Sequence, residues 1–424
     1  MHLIDRARAA KKASRKILTR SGESRTAALK NVRLALEAAS SEIFDATRVD
    51  MELSAREGVP DALLARLKFD NAKLLRVCDG IQSLERWPDP IDRVLEKREL
   101  DKGLILSRVA GPIGVIGMIF ESRPDALIQM ATLCIRSGNA VILKGGSEAL
   151  ETNRILTRII ASASSPLMPE GWIGLAETRD DVNKMLTLNS LIDLLVPRGS
   201  KKFVADIMKN SSIPVLGHAD GICHVYLDES ASAAKAIPIV LDSKMQYQAV
   251  CNAAETLLVH RNSAETLLPL IQDALQSAGC ELRGCARTRA IIDVAPATDE
   301  DWDSEYLDAI ISIKMVDDIE EAIEHIHVHG SGHTEAIVSE NVRASEMFLT
   351  RVDAANVFHN CSTRFSDGFV FGLGAEVGIS TSKIHARGPV GVEGLLSYRW
   401  QLRGSGQIIA DYNEGRRSFT HKDL

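Results

Sequence analysis

An apolar strand, a helix and a second apolar strand follow one another over a short stretch, and this pattern constrains the fold more than any other. Ile113–Phe120 is an apolar, glycine-spaced segment of strand length. Pro124 is well placed as the first residue of a helix, and Gly138 supplies a stop before the strand Ala140–Leu143. The unit has the size of a βαβ crossover, about 30 residues, which joins two parallel strands.

The same alternation continues along the chain. Strand-like segments follow at Leu191–Val196, Ile213–Leu216 and Ile222–Leu227, with a helix after the first. Alternating strands and helices predict a doubly wound, mainly parallel sheet. Such sheets bind ligands at the carboxyl ends of their strands, where Lys144 and Arg198 lie.

A second α/β unit is predicted from about Ser230 onward. Its strand signals are Thr256–His260, Ala309–Ile313 and Ala336–Val338, and its helix signals are Ala264–Ser277 and Ile319–His325. The first hundred residues are expected to be mostly helical, up to the proline-rich segment 87–90. A chain of 424 residues exceeds one ordinary core, so we expect domains over 1–228 and 229–388, followed by a C-terminal return over 389–424.

The composition of the chain indicates which binding partners and which cellular compartment suit it. Fifty basic and 57 acidic residues give a net charge of −7, which argues against nucleic acid or an anionic membrane surface. No apolar segment reaches the ~20 residues of a membrane span. The seven cysteines are scattered without a CxxC pair, so a reduced, cytoplasmic compartment fits best. The basic segment 1–20 has the composition of a transit peptide, but its apolar spacing favours an exposed helix.

Cys251 precedes the short segment Asn252–Thr256 and then a strand. Backbone N–H groups that follow the thiol could stabilise a thiolate and later an oxyanion. A buried, inert side chain is the commoner fate of a single cysteine. Residue type alone therefore leaves both interpretations open.

Two strand ends carry patterns that suit a dinucleotide. Lys144-Gly145-Gly146 places a cation before two glycines, where backbone could approach a phosphate and the lysine a ribose hydroxyl or 2′-phosphate. Arg198-Gly199-Ser200 opens a basic helix, whose positive end suits a phosphate. A plain strand-to-helix turn is the alternative at both positions, because neither GxGxxG nor GxxxxGK[ST] is present.

A glycine-rich segment, 369–381, suits a backbone wall against a substrate, with a loop that binds nothing as the alternative. His385 and Arg387 follow it as two anion contacts. The cluster of His325, His327, His329 and His333 raises the question of a metal. No zinc spacing occurs, and His327 and His329 are expected in a helix-to-strand loop, so no metal is predicted.

Several long segments, in order, resemble the γ-glutamyl phosphate reductase family of the aldehyde dehydrogenase superfamily. They are Phe120–Pro124, Gly217–Gly221, Val250–His260, Gly330–His333, His359–Asn360, Ser362–Gly368 and Phe371–Thr381. The likeness runs from residue 111 to about residue 406. It extends to the C-terminal half of the bifunctional pyrroline-5-carboxylate synthases, although no kinase half is present here.

The resemblance implies an aldehyde dehydrogenase-like α/β fold. It has a Rossmann-type cofactor domain, an α/β catalytic domain and a small oligomerisation hairpin built from about 98–111 and the C-terminal segment. Cys251 becomes the catalytic nucleophile, with Asn252 beside it. The positions that correspond to NADP contacts are Lys144, Gly145, Arg198, Gly199, Ser200 and Glu305. Substrate contacts are expected at Arg123, His385 and Arg387.

The function that the resemblance implies is the NADPH-dependent reduction of L-glutamyl 5-phosphate to L-glutamate 5-semialdehyde. Phosphate leaves through a Cys251 thioester, in the second step of proline biosynthesis from glutamate. Arg123 and Val215 stand where hydrolytic aldehyde dehydrogenases have an oxyanion Asn and a general-base Glu, which suits a phosphate-releasing enzyme that must protect its thioester from water. Glu148, close to Lys144, leaves NADP against NAD open.

Alternatives to this function are a reductase of acetylglutamyl phosphate, aspartyl phosphate or an acyl-CoA, and a non-catalytic scaffold. The expected assembly is a homodimer or homotetramer, with glutamate 5-kinase as a transient partner.

Overall fold

The computed structural model describes residues 2–59, 64, 66–121, 123–217, 220–383 and 385–424. Its N-terminal part contains the helices Leu3–Ile17, Gly22–Ala38, Ser40–Arg56 and Asn71–Arg86. The Ser21 hydroxyl and the Asp70 carboxylate cap the second and fourth of these by accepting backbone N–H groups. The basic segment 1–20 forms the first helix, as predicted, and buries one stripe of small and apolar side chains against the sheet that follows: Leu3, Ala7, Ala10, Ala13 and Ile17.

A β-hairpin precedes the predicted βαβ unit. Its strands are β1 (Val94–Asp101) and β2 (Leu104–Pro112), paired antiparallel. Gly103 in the connecting turn has φ of +72°, a left-handed conformation that glycine adopts without steric cost.

The first parallel sheet contains β3 (Val115–Phe120), β4 (Ala140–Lys144), β5 (Ile173–Ala176) and β6 (Leu194–Arg198), in the order β5-β4-β3-β6. Helices on both faces bury these strands, as a parallel sheet requires. They are Pro124–Ser137, Leu150–Ser164, Arg179–Met185 and Lys201–Asn210. Ile119 pairs with Lys144 and Phe120 with Arg198, so both cations reach one edge of the sheet.

The second parallel sheet, within the described residues, has the order β10-β9-β11-β8-β7-β12-β13. Its strands are β7 (Cys223–Leu227), β8 (Ala254–His260), β9 (Glu281–Gly284), β10 (Ala295–Pro296), β11 (Ile310–Val316), β12 (Thr334–Val338) and β13 (Asn356–His359). The accompanying helices are Ala233–Met245, Arg261–Ser277, Ala286–Arg289, Asp299–Trp302, Ile319–His329 and Val342–Arg351.

The C-terminal segment returns to the hydrophobic core around the first parallel sheet. β14 (Ile379–Ser380) pairs with β15 (Gly388–Pro389), and Ala375, Val377, Val390, Val392 and Leu395 are buried in that core. β16 (Leu396–Arg403) then pairs with β2, and β17 (Lys422–Asp423) with β1, after the helix Ile409–Asn413. The result is an antiparallel sheet in the order β16-β2-β1-β17. None of the described helices is long and apolar enough to span a lipid bilayer.

The structure corrects two expectations, and its sheet pairing leads us to propose a different domain boundary. The strand at Ile213–Leu216 is reduced to one bridge between Val215 and Leu195. His327 and His329 lie in the last turn of a helix, where basic side chains suit the carboxyl end, and not in a loop. The domain boundary at 228–229 falls after β7, yet β7 is hydrogen-bonded between β8 and β12 in the second sheet. We therefore propose a boundary before Cys223, with residues 375–395 assigned to the first unit.

Candidate active site

Cys251 lies in a loop between the helix Ala233–Met245 and β8, and its side chain is half-buried. The amino ends of β7 and β8 meet at this loop, because Cys223 pairs with Ala254 and its thiol donates to the Cys251 carbonyl at 3.2 Å. Cys251 also acts electrostatically on Arg198, at the carboxyl end of β6. The thiol therefore lies between the carboxyl edge of the first sheet and the amino edge of the second.

Gly221 lets the two backbones approach. A Cβ added to Gly221 would lie 2.1 Å from the Cys251 carbonyl oxygen and 2.4 Å from its Cα, closer than real Cβ atoms come. The Gly221 N–H donates to Glu305 Oε1 at 2.9 Å. Glu305, predicted at the cofactor, thus supports the backbone that contacts the Cys251 loop.

We expect Gly221→Ala to lower kcat by about 100-fold, because displacing a reacting group by ~1 Å has an effect of that size. Steady-state kinetics and the rate of iodoacetamide alkylation at Cys251 measure the change. Gly111→Ala is the matched control, since a Cβ there meets nothing within 4 Å. An unchanged kcat in folded Gly221→Ala would mean that this contact does not position the thiol.

The backbone at the thiol carries donors that no described acceptor uses. Among the described residues, the N–H groups of Cys251 and Asn252 have no hydrogen-bond acceptor. The Asn252 side chain is buried, and its Nδ2 donates to the Ser366 carbonyl at 2.8 Å. Asn252 therefore fixes the loop at 366, and its backbone N–H, not its side-chain amide, is the donor available to a substrate.

Arg198 and Arg364 are cations that interact electrostatically with Cys251. Burial lowers the pKa of Arg198, and the Glu376 carboxylate opposes this shift most strongly. Burial also lowers the pKa of Arg364, opposed first by Cys251. The Arg198 carbonyl accepts the Glu121 N–H at 3.0 Å, but its guanidinium makes no hydrogen bond or ion pair with any described residue. Two partly buried guanidinium groups beside a thiol suit an anionic substrate.

Five of the six cofactor positions predicted from the sequence lie at the carboxyl edge of the first sheet, whereas Glu305 lies in the second unit. Lys144 is buried and donates to the Gly145 carbonyl. Ser200 begins the helix Lys201–Asn210, and its N–H donates to a Glu121 carboxylate oxygen at 2.7 Å. A carboxylate thus occupies the anion position at this helix end.

These residues fit a dinucleotide on one condition. Glu121 must leave the Ser200 N–H before a phosphate can take its place. Glu148 folds over the glycine turn, since a Cβ on Gly146 would lie 2.0 Å from its Oε1. An acidic group at this turn suits a ribose with a free 2′-hydroxyl better than a 2′-phosphate.

A buried ion pair lies beneath Glu305. Lys244 Nζ donates to Glu255 Oε2 at 2.5 Å, and both side chains are fully buried. Burial raises the pKa of Glu255 to about 7, although Lys244 opposes the shift. Lys244 Nζ also lies 5.8 Å from the ring centre of Tyr306, the neighbour of Glu305. The pair links the helix that precedes the Cys251 loop to the strand that follows it.

The three predicted substrate contacts differ in their surroundings. Arg123 is exposed and acts on Arg198 electrostatically, without an ion-pair partner among the described residues. His385 Nε2 donates to the Gly394 carbonyl at 2.9 Å, and Arg387 pairs with Asp353 at 2.8 Å. The side chains of His385 and Arg387 therefore already have partners within the protein.

Sequence reasoning missed Arg364, Gly221 and Lys244, although the first two lie in family-like segments and Lys244 just precedes another. Ser122, His218 and Ala219 of two such segments lie outside the described residues. Within the part of the chain that the structure describes, no three His, Cys, Asp or Glu side chains are grouped as a metal site.

Comparison with known proteins identifies the family. A profile of the aldehyde dehydrogenase family matches residues 2–283. A γ-glutamyl phosphate reductase of Acetivibrio thermocellus is 54% identical over 100% of this chain and 99% of that protein. The chain belongs to the γ-glutamyl phosphate reductase family of aldehyde dehydrogenases. It is therefore an oxidoreductase of a family that uses a nicotinamide cofactor.

Other proteins of this reductase family are also similar to the chain over nearly its whole length. The enzyme of Pelotomaculum thermopropionicum is 52% identical over 100% of this chain and 98% of that protein. The crystal structure of γ-glutamyl phosphate reductase from Thermotoga maritima superposes with a TM-score of 0.94 and 37% identity, and covers 96% of this chain and 100% of that one. An engineered glycolyl-CoA reductase with bound NADP+ shares the fold alone, at 15% identity and a TM-score of 0.66 over 94% and 96%. The predicted aldehyde dehydrogenase-like α/β fold is confirmed.

Proposed function

We propose that this chain reduces L-glutamyl 5-phosphate to L-glutamate 5-semialdehyde with NADPH and releases phosphate, in the second step of proline biosynthesis from glutamate. The observation that carries the proposal is the half-buried Cys251 thiol, which interacts electrostatically with Arg198 and Arg364. The names of the relatives point to the same substrate. A site with cations and a thiol suits a substrate that is both anionic and an acylating agent.

Cys251 is the proposed nucleophile. Its thiolate attacks the γ-carbonyl carbon, the bond from that carbon to the phosphate oxygen breaks, and a thioester remains on the sulfur. The unoccupied N–H groups of Cys251 and Asn252 hold the oxyanion of the tetrahedral intermediate. One missing donor of this kind would cost ~2.7–4 kcal/mol.

The cofactor is proposed to lie along the carboxyl edge of the first sheet, where it supplies the hydride that reduces the thioester. Lys144 and the Gly145 turn would hold the adenosine ribose. Arg198, Gly199 and Ser200 would lie near the pyrophosphate, and Glu305 near the nicotinamide ribose.

The residue at the position that the resemblance assigns to the general base is Val215. Val215 packs against the first core, next to β6, and carries no group that could activate a water molecule. If it stands at the general-base position, as the resemblance implies, hydrolysis of the thioester is slow and phosphate release dominates.

Glu148 is expected to limit the preference for NADPH. Replacing Glu148 by Gln removes a negative charge from the ribose turn, and we expect the ratio of kcat/KM for NADP+ over NAD+ to rise about tenfold, equivalent to ~1.4 kcal/mol. Glu151→Gln, which removes an exposed carboxylate paired with Arg154, is the control. An unchanged ratio would place the 2′ position of the ribose away from this turn.

The antiparallel sheet is the proposed oligomerisation surface. β16 lies at its edge and exposes Tyr398, Trp400 and Leu402 on one face. An apolar edge strand is a ready site for a second sheet, so we propose a homodimer or homotetramer. A transient glutamate 5-kinase partner and a cytoplasmic location belong to the same proposal, since the acyl phosphate must be delivered to the thiol.

The reverse reaction tests the proposed function. The purified chain is assayed for phosphate-dependent reduction of NADP+ or NAD+ with glutamate 5-semialdehyde, N-acetylglutamate 5-semialdehyde and aspartate 4-semialdehyde, and for CoA in place of phosphate. We expect turnover with glutamate 5-semialdehyde, phosphate and preferably NADP+. Faster turnover with another aldehyde or with CoA, or none with any, would contradict the proposal.

A further inference from the structure

Arg364 has a guanidinium group with unused donors beside the segment that leads to Cys251. It is half-buried, and its Nε donates to Gln246 Oε1 at 3.0 Å. Its two terminal nitrogens have no partner among the described residues. Gln246 lies in the loop that leads to Cys251, so one hydrogen bond aims the guanidinium at that loop.

The turn that carries Arg364 is fixed on both sides. The Ser243 hydroxyl bonds with the Ser362 hydroxyl at 3.2 Å and accepts the Thr363 N–H at 3.2 Å. The Ser366 carbonyl accepts from Asn252 Nδ2 at 2.8 Å. The turn that carries the guanidinium is therefore held by the residues on either side of Cys251. These contacts fix its position in the absence of a ligand.

Three other buried or half-buried arginines are paired with a carboxylate. Arg25 bonds with Asp89 at 2.7 Å, Arg283 with Asp301 at 2.7 Å and Arg387 with Asp353 at 2.8 Å. The half-buried Arg364 guanidinium is open to solvent, so a ligand with anionic oxygens can reach its terminal nitrogens. Arg364 and Arg198, which both interact electrostatically with Cys251, are thus suited to a ligand that brings its own anionic oxygens.

We propose that Arg364 is a specificity-determining residue that binds an anionic oxygen of the substrate, with Arg198 as the second cation, while Cys251 attacks the acyl carbon. The inference rests on the proposed function and names the group that selects its substrate. The oxygen belongs to the phosphoryl group or to the α-carboxylate, and the two are separable because phosphate and glutamate 5-semialdehyde are independent substrates in the oxidation direction.

The kinetic test uses Arg364→Gln and Arg364→Lys. We expect KM to rise at least about tenfold for phosphate if the phosphoryl oxygen is bound, or for the semialdehyde if the carboxylate is bound, while KM for the cofactor changes less than about twofold. Arg364→Lys keeps the charge but loses the planar guanidinium, so we expect its KM to lie between those of the wild type and Arg364→Gln. Unchanged KM values for phosphate and semialdehyde in folded Arg364→Gln would overturn the proposal.

Alkylation of Cys251 supplies a readout besides activity. Iodoacetate is an anion and iodoacetamide is neutral, so the ratio of their rate constants reports the attraction of the site for a carboxylate and cancels changes in the thiol itself. We expect this ratio to fall at least about threefold in Arg364→Gln and to stay constant in Arg343→Gln, an exposed control. A constant ratio in both variants overturns the inference. Wild-type protein without phosphate-dependent oxidation would instead overturn the proposed function, while the ratio still tests the anion site.

Discussion

Cys251→Ser is expected to lower kcat by at least about 1,000-fold, because loss of a catalytic nucleophile has effects of this size or larger. Serine keeps the shape of the side chain but is not ionised at neutral pH, so the first bond to the acyl carbon forms too slowly. Steady-state reduction of NADP+ with glutamate 5-semialdehyde and phosphate measures the loss. Cofactor binding, followed by fluorescence, should be unchanged.

The control is Cys285→Ser. Cys285 is also half-buried, and its sulfur lies 3.3 Å from the Thr288 hydroxyl in the second sheet region, apart from the Cys251 loop. We expect this variant to retain wild-type kcat within about twofold, since a substitution away from the reacting atoms has a small effect. Equal losses in both variants would point to general destabilisation and remove the case for Cys251.

Lys244→Met is expected to lower the free energy of unfolding by about 3–5 kcal/mol, because removing one partner of a buried ion pair leaves the other charge unpaired. Glu255 is fully buried, and Lys244 is its ion-pair partner. Urea or thermal unfolding, followed by circular dichroism, measures the change.

Two further variants test whether the unpaired charge causes this loss of stability. Lys235→Met lies on the same helix, but its partner Glu340 is exposed, so the expected loss is within about 1 kcal/mol. Lys244→Met combined with Glu255→Leu removes both charges and should recover most of the stability. A double variant no more stable than Lys244→Met would show that packing, not the unpaired charge, explains the loss.

The first sheet was predictable because local signals and packing agree there. Pro124 begins the crossover helix and Gly138 ends it with φ of +72°. The strands on either side are continuous apolar segments, as strands buried on both faces must be. The edge that carries Lys144 and Arg198 follows directly from that topology.

The rest depends on contacts that sequence spacing does not encode. β13 and β9 are short, and the position of β7 between β8 and β12 is set by hydrogen bonds to strands far along the chain. The distances from Gly221 to Cys251 and from Arg364 to Gln246 arise only when both sheets are assembled. Residue type can also mislead: Arg387 was predicted to contact the substrate, but in the structure it is paired with Asp353.

A single-turnover experiment without phosphate tests the central claim, that Cys251 forms the acyl intermediate, most directly. The enzyme is mixed with glutamate 5-semialdehyde and NADP+, reduced cofactor is followed by absorbance, and an acid-quenched sample is mapped by mass spectrometry. We predict a burst of one reduced cofactor for each active site, a glutamyl group on the Cys251 peptide, and sustained turnover only when phosphate is added. A full burst in Cys251→Ser, or sustained turnover without phosphate, would contradict the account.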